Sequence, residues 1–307
     1  MGKIAFVFAG QGAQYSGMGK DIYEHSQAAK RVFNMADSIR ENTSSLCFEG
    51  TKEQLSITKN TQPALFCVNL ACAYALQEKG ITPDGVAGFS LGEIPALAFC
   101  DVLSDEDAFS LVCKRGEFMQ ECAEKHGGAM AAVLRLPNER VEEICQSFEN
   151  VFPVNYNCDG QLVVAGLASE IDAFLEAVAK EGGRSIKLQV SGAFHTRFME
   201  DASQRLSVEL EKLQLNAPKV PLYSNYTALP YTSGIKGHIT EQLKNPVLWQ
   251  KTIENMIENG FTIFIEVGAG KVLSGLINKI SNQVSVFNVE DYKTLINTVA
   301  KILEEEC

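Results

Sequence analysis

The chain has 307 residues, 46% of them hydrophobic, and a formal net charge of −11. That is ample material for a buried core in one or two domains, while the acidic balance argues against nucleic acid or an anionic membrane surface as a partner, since both call for clustered Lys and Arg. Nine cysteines sit in apolar contexts such as Cys67, Cys72 and Cys113, without CxxC pairs or Cys/His ligand spacing, which speaks against a disulfide framework or a zinc site and for reduced thiols in a cytoplasmic protein.

The run from Lys3 to Ala9, stopped by Gly10, has the continuous apolar character of a strand buried on both faces of a parallel sheet. It is too short for a signal sequence, and no apolar stretch approaches a membrane span. Thr61-Gln62-Pro63 introduces a helical pattern ended by Gly80, with Pro63 expected near its first turn. Val86 to Phe89 reads as a second strand, Glu93 to Phe99 as a helix. Ser104 with Asp107 opens another helix in capping-box style, whose apolar stripe runs through Ala108, Leu111, Val112, Met119 and Cys122 and also takes in Arg115.

From Gly127-Gly128 the texture changes to a βαββαβ run. Strands are expected at 129–134, 151–156, 162–165 and 185–190, with helices at 138–148 and 170–181. The expected architecture is therefore α/β: a hydrolase-like parallel-sheet core, residues 1–126 and 191–307, interrupted by a ferredoxin-like inserted subdomain at 127–190. Phe261 to Val267 is the clearest late strand and Asp291 to Glu306 the closing helix.

Gly88-Phe89-Ser90-Leu91-Gly92 matches G-x-S-x-G in the strand-turn-helix context of a nucleophile elbow. Such a match alone is more often an ordinary turn. A serine needs a base, and there are four histidines. His25, His126 and His238 lie in polar or junction contexts that surface roles explain, whereas His195 sits in the small-residue loop Ser191 to Thr196, from which an imidazole can reach out of the core. No Asp or Glu stands out as its orienting partner, and a backbone carbonyl can serve instead.

Arg115 must meet an anion if its stripe is buried. The partner is either an internal carboxylate such as Glu93 or Glu117, or a carboxylate on the acyl group held by the planar fork. Gly10-Gln11-Gly12-Ala13-Gln14 lacks the third glycine of a dinucleotide fingerprint and is read as a loop able to supply an oxyanion-hole N–H opposite Leu91.

Taken together with Thr61-Gln62-Pro63-Ala64, Arg115 to Gln120, Asn155-Tyr156-Asn157, Gly192-Ala193-Phe194-His195, Asn245 to Trp249 and Glu266 to Leu273, these segments resemble, in order and along nearly the whole chain, the malonyl-CoA:acyl carrier protein transacylase family of fatty-acid and polyketide synthesis. The resemblance implies that Ser90 carries the acyl group, His195 is its base, and Arg115 clamps the malonyl carboxylate. Gln11 and Leu91 would supply the oxyanion hole, Gln62 and Phe194 would line the substrate site, and the Leu248 backbone carbonyl would orient His195. Phe194 resembles members that select against a methyl branch, and Phe89 stands where relatives usually have His. No cofactor or metal is expected, the partners are malonyl-CoA and acyl carrier protein, and the chain is expected to be a monomer. The rival readings are a serine esterase or thioesterase, which needs no arginine, and a catalytically silent carrier-binding module.

Overall fold

The computed structural model of the chain describes residues 2–190 and 192–306. Ser191, the expected start of the second core segment, lies outside them. Nine strands occur among the described residues: β1 (Lys3–Phe8), β2 (Gly85–Gly88), β3 (Gly128–Leu134), β4 (Val151–Cys158), β5 (Gln161–Leu167), β6 (Arg184–Lys187), β7 (Leu222–Tyr223), β8 (Phe261–Val267) and β9 (Ser285–Val289). They form two sheets, ordered β7-β2-β1-β8-β9 and β4-β5-β3-β6.

All four pairings of the first sheet are parallel. The alternation of β1 places Phe6 and Phe8 in the larger core and Ala5 and Val7 in a second core with Trp249 and Phe264, so the strand is apolar from Ile4 to Phe8 because both its faces are covered. The helices Gln27–Ile39, Thr58–Glu78 and Asp105–His126 pack on the first face, and Trp249–Glu258 and Val272–Ile280 on the other. In such sheets ligands bind beyond the carboxyl ends of the strands. Here β1 runs out into Gly10-Gln11 and β2 into Phe89-Ser90.

The second sheet is antiparallel, with the strand order of a ferredoxin-like unit. One face carries Val141, Ile144, Phe174 and Val178 of its two helices. The other places Met130, Ala132, Val154 and Val163 in the larger core. A short ladder ties this sheet to the loop before Trp249: Tyr156 N donates to Val247 O at 3.0 Å and Val247 N to Val154 O at 2.8 Å.

Several element boundaries depart from expectation: the helix expected at 138–148 ends at Cys145, and the strands expected at 151–156 and 162–165 run Val151–Cys158 and Gln161–Leu167. The helix expected from Thr61 starts a turn earlier, at Thr58, because Ile57 O accepts from Thr61 N at 2.9 Å and the Thr58 N–H is satisfied by Gln120 Oε1 at 3.0 Å, a distant contact. β6 ends at Lys187, since its partner register along β3 spans only Ala131 to Leu134.

Candidate active site

At the end of β2, Phe89 N donates to Phe8 O at 3.0 Å, and Ser90 then turns into the left-handed region at φ 50°. Non-glycine residues seldom occupy that region, where strain of about 1 kcal/mol or more is held by the surrounding structure. One 3₁₀ turn, Ser90–Gly92, leads into the helix Glu93–Phe99. The flanking glycines are required by close approach: a Cβ on Gly88 would lie 2.1 Å from the Gly92 carbonyl carbon, and one on Gly92 2.2 Å from Phe8 O. Asn225 fastens the turn from outside, its Oδ1 accepting from Ser90 N at 2.6 Å and its Nδ2 donating to Gly88 O.

His195 places Nε2 2.8 Å from Ser90 Oγ. Its own backbone is left-handed, φ 62°, and its N–H donates to Leu243 O at 3.1 Å. Nδ1 lies 2.8 Å from the Gln242 carbonyl oxygen, which can only accept, so Nδ1 carries the proton and the Nε2 lone pair faces the serine. Burial, with the Arg115 charge second, brings the imidazole down to about 4, which keeps it neutral and able to take a proton. The orienting carbonyl is thus that of Gln242, not of Leu248. Leu248 O instead accepts from Thr252 N at 2.9 Å and Thr252 Oγ1 at 2.8 Å, as the start of its own helix demands.

Arg115 is fully buried on the stripe where the sequence placed it. Its Nη1 donates to Gln62 Oε1 at 2.8 Å, and its Nη2 to Gln242 Oε1 at 2.8 Å and Ser90 Oγ at 3.3 Å. Neither internal candidate pairs with it directly: Glu117 bonds Lys114 at the surface, and Glu93 sits behind Gln242, 2.5 Å from its Nε2. Burial lowers the guanidinium to about 10, opposed by Glu93, so the cation persists at neutral pH with amide and hydroxyl oxygens as its acceptors.

Gln62 is held on its other side by Met119 Sδ, 3.3 Å from Nε2. Phe194 is buried next to Gly192, where a Cβ would come within 2.6 Å of its ring. Phe89 meets Trp249 edge-on at 5.4 Å. Gly10, the residue before Gln11, abuts Phe89, the residue before Ser90: a Cβ on it would lie 2.8 Å from Phe89 O. The remaining histidines stay away from the serine: His25 stacks on Tyr292, His126 lies near Phe198, and His238 stacks on Tyr231. Gln242 and Asn225 were not singled out by sequence. The one available signal was a glutamine ending a short helix just before Asn245-Pro246.

This arrangement suits acyl transfer through serine: a hydroxyl with a base to take its proton, and a cation within reach of whatever acyl group the serine carries. A family model described as the acyl transferase domain matches residues 5–296, and the chain belongs to that family. Among its relatives, the malonyl CoA-acyl carrier protein transacylase of Bacillus subtilis (strain 168) is 42% identical over 314 residues, which cover 99% of each chain. The protein of the same name from Staphylococcus aureus (strain MRSA252) is 38% identical, over 95% of this chain and 98% of that one. The crystal structure of the Clostridium perfringens malonyl CoA-acyl carrier protein transacylase matches with a TM-score of 0.95 at 40% identity, covering 99% of this chain and 98% of that one. A malonyl-transacylase solved in complex with a type II polyketide acyl-carrier protein matches at 0.94 and 34% identity, over 97% and 99%.

Proposed function

We propose that this chain transfers malonyl from malonyl-CoA to the phosphopantetheine thiol of acyl carrier protein, with Ser90 as the covalent carrier. The observation that carries the reading is the Arg115 guanidinium, buried 3.3 Å from Ser90 Oγ with neutral oxygens as its partners. A buried cation so placed recognises an acyl group that brings its own negative charge.

In the first half-reaction His195 Nε2 takes the Ser90 proton as Oγ attacks the thioester carbonyl. The Gln242 carbonyl, bonded to Nδ1–H, steadies the imidazolium that forms. The oxyanion is assigned to the N–H groups of Leu91, in the turn after the serine, and of Gln11, next to Gly10. Coenzyme A leaves as its sulfur takes from His195 the proton that came from Ser90. The second half-reaction runs in reverse order: His195 deprotonates the carrier thiol, the thiolate attacks the malonyl ester, and Ser90 is released protonated. Arg115, with Gln62, holds the malonyl carboxylate through both, so the ester stays aligned for the incoming thiol. The chemistry needs no cofactor beyond the thioester and the carrier's own prosthetic thiol. Exposed Lys187, Arg197 and Lys271 are the cations we assign to carrier docking on an otherwise acidic protein.

A cytoplasmic setting goes with the free thiols of all eight described cysteines, seven of them buried. No described helix is long and apolar enough to cross a membrane.

The test is the intact mass of the protein after incubation with malonyl-CoA, followed by peptide mapping. A malonyl ester on Ser90 that discharges onto added carrier protein is expected. Free malonate without an adduct would instead favour the thioesterase reading.

A further inference from the structure

Behind the reacting groups lies a carboxylate that the acyl-transfer steps leave unused. Glu93, first residue of the helix after the elbow, is fully buried. Its Oε2 accepts from Gln242 Nε2 at 2.5 Å and from Asn225 N at 3.2 Å, and its Oε1 accepts from the Tyr231 hydroxyl. It touches neither His195 nor Arg115, so it is neither the acid of a triad nor the arginine's direct partner.

Gln242 stands between Glu93 and the site. Its backbone oxygen accepts from His195 Nδ1, its Oε1 accepts from Arg115 Nη2, and its Nε2 donates to Ser90 O at 3.0 Å as well as to Glu93. A primary amide fits many cavities in two orientations that differ by a half-turn. Here a guanidinium, which can only donate, faces one end, and a carboxylate, which when ionised can only accept, faces the other. Reversal would set N–H against N–H and oxygen against carboxylate. Asn225, which pins Ser90 N and Gly88 O, is bonded to the same Glu93 oxygen.

We propose that Glu93 is a positioning residue for this reaction: acting through the Gln242 amide, it fixes the acceptor that aims Arg115 at a carboxylate-bearing acyl group. This rests on the malonyl reading above. Without the Glu93 acceptor the amide is free to turn, the guanidinium loses its fixed bearing, and discrimination by charge falls, while uncharged acyl groups, which do not use Arg115, react as before.

The test measures single-turnover acylation of Ser90 by malonyl-CoA and acetyl-CoA in wild type, Glu93→Ala, Glu93→Gln, Gln242→Met and the double variant Glu93→Ala/Gln242→Met. Loss of one buried acceptor should lower the malonyl-over-acetyl ratio of Glu93→Ala by about tenfold or more. Glu93→Gln keeps an oxygen for Gln242 Nε2 and can donate to Tyr231, so its ratio should stay within about threefold of wild type. In the Gln242→Met background, where the amide is already gone, Glu93→Ala should leave the ratio unchanged. Equal loss with both donors, or a full effect of Glu93→Ala in that background, would show that Glu93 acts only on the fold and overturn the proposal. If the alanine variant does not fold, Glu93→Asp, whose carboxylate falls one methylene short of the amide, carries the same comparison. Absence of a malonyl ester in wild type would reject the function itself and is seen before any variant is made.

Discussion

Arg115 Nη2 lies 3.3 Å from Ser90 Oγ, so the Ser90 hydroxyl lies beside a buried cation that bonds amide and hydroxyl oxygens. An arginine paired with an internal carboxylate would be spent on structure. This one bonds neutral oxygens instead, and in the proposed reaction its charge is left for an incoming anion, which would separate a carrier of charged acyl groups from a general serine hydrolase.

Arg115→Ala should therefore lower Ser90 acylation by malonyl-CoA by about 10²-fold or more, the scale of a buried charge-assisted hydrogen bond, while acylation by acetyl-CoA changes far less. Arg115→Lys keeps the charge but not the fork and should fall between. Rapid-quench mass spectrometry of the two acyl-enzymes measures the ratio. A malonyl preference intact in Arg115→Ala would return the clamp to a structural role.

The same cation also acts on His195, the proposed base. His195 is held at about 4 first by burial and second by Arg115. A malonyl carboxylate on Arg115 offsets the second effect, so the imidazole should be more basic in the malonyl complex than in the acetyl complex. The acid limb of single-turnover acylation should then lie at higher pH with malonyl-CoA than with acetyl-CoA, and both limbs should move to higher pH in Arg115→Gln, where the lowering by the guanidinium is gone. Coincident limbs in wild type would exclude the coupling.

Ser90 at φ 50° predicts a trade of stability against activity. Ser90→Gly and Ser90→Ala both remove the hydroxyl and should both abolish acylation, but only glycine relaxes the left-handed backbone. The glycine variant should be the more stable of the two by about 1 kcal/mol in urea titrations. Equal stabilities would mean that the turn carries no such strain.

What the sequence showed of this site followed from side chains with a local signature. Ser90 was legible because two glycines flank it between an apolar strand and a helix, and Arg115 because a charge fell on an apolar stripe. His195 emerged by elimination among four. Gln242 and Asn225 were not legible: each reaches Ser90 from far along the chain, and the decisive contact to His195 is made by a backbone carbonyl, which every residue possesses. That is also why the sequence points to the Leu248 carbonyl, in the same segment as Gln242, whose carbonyl His195 Nδ1 meets. The sequence offers Glu93 only as a candidate partner of Arg115, since nothing local announces that an amide will stand between them. The fold was more legible than the site's second layer, because strand alternation and helix stripes are repeated signals while a single long-range hydrogen bond is not.

Glu93 and His195 make opposite contributions to stability across the same pH range, and each should be revealed by removing the other. Burial raises Glu93 from 4.5 to about 7, so the folded state binds its proton more tightly than the unfolded chain, and this contribution is lost as pH rises from 4.5 to about 7. Burial and Arg115 lower His195 from 6.5 to about 4, so its contribution is present above 6.5 and lost as pH falls towards 4. Each is worth up to about 3 kcal/mol, and in wild type they largely cancel. Glu93→Gln should therefore lose stability relative to wild type as pH falls from 6.5 towards 4.5, and His195→Asn should lose it as pH rises from 4.5 towards 7. Urea titrations at intervals across that range measure both slopes. Parallel curves for the two variants would mean that the buried carboxylate and imidazole do not titrate in opposition, and the charge balance drawn around Arg115 would have to be abandoned.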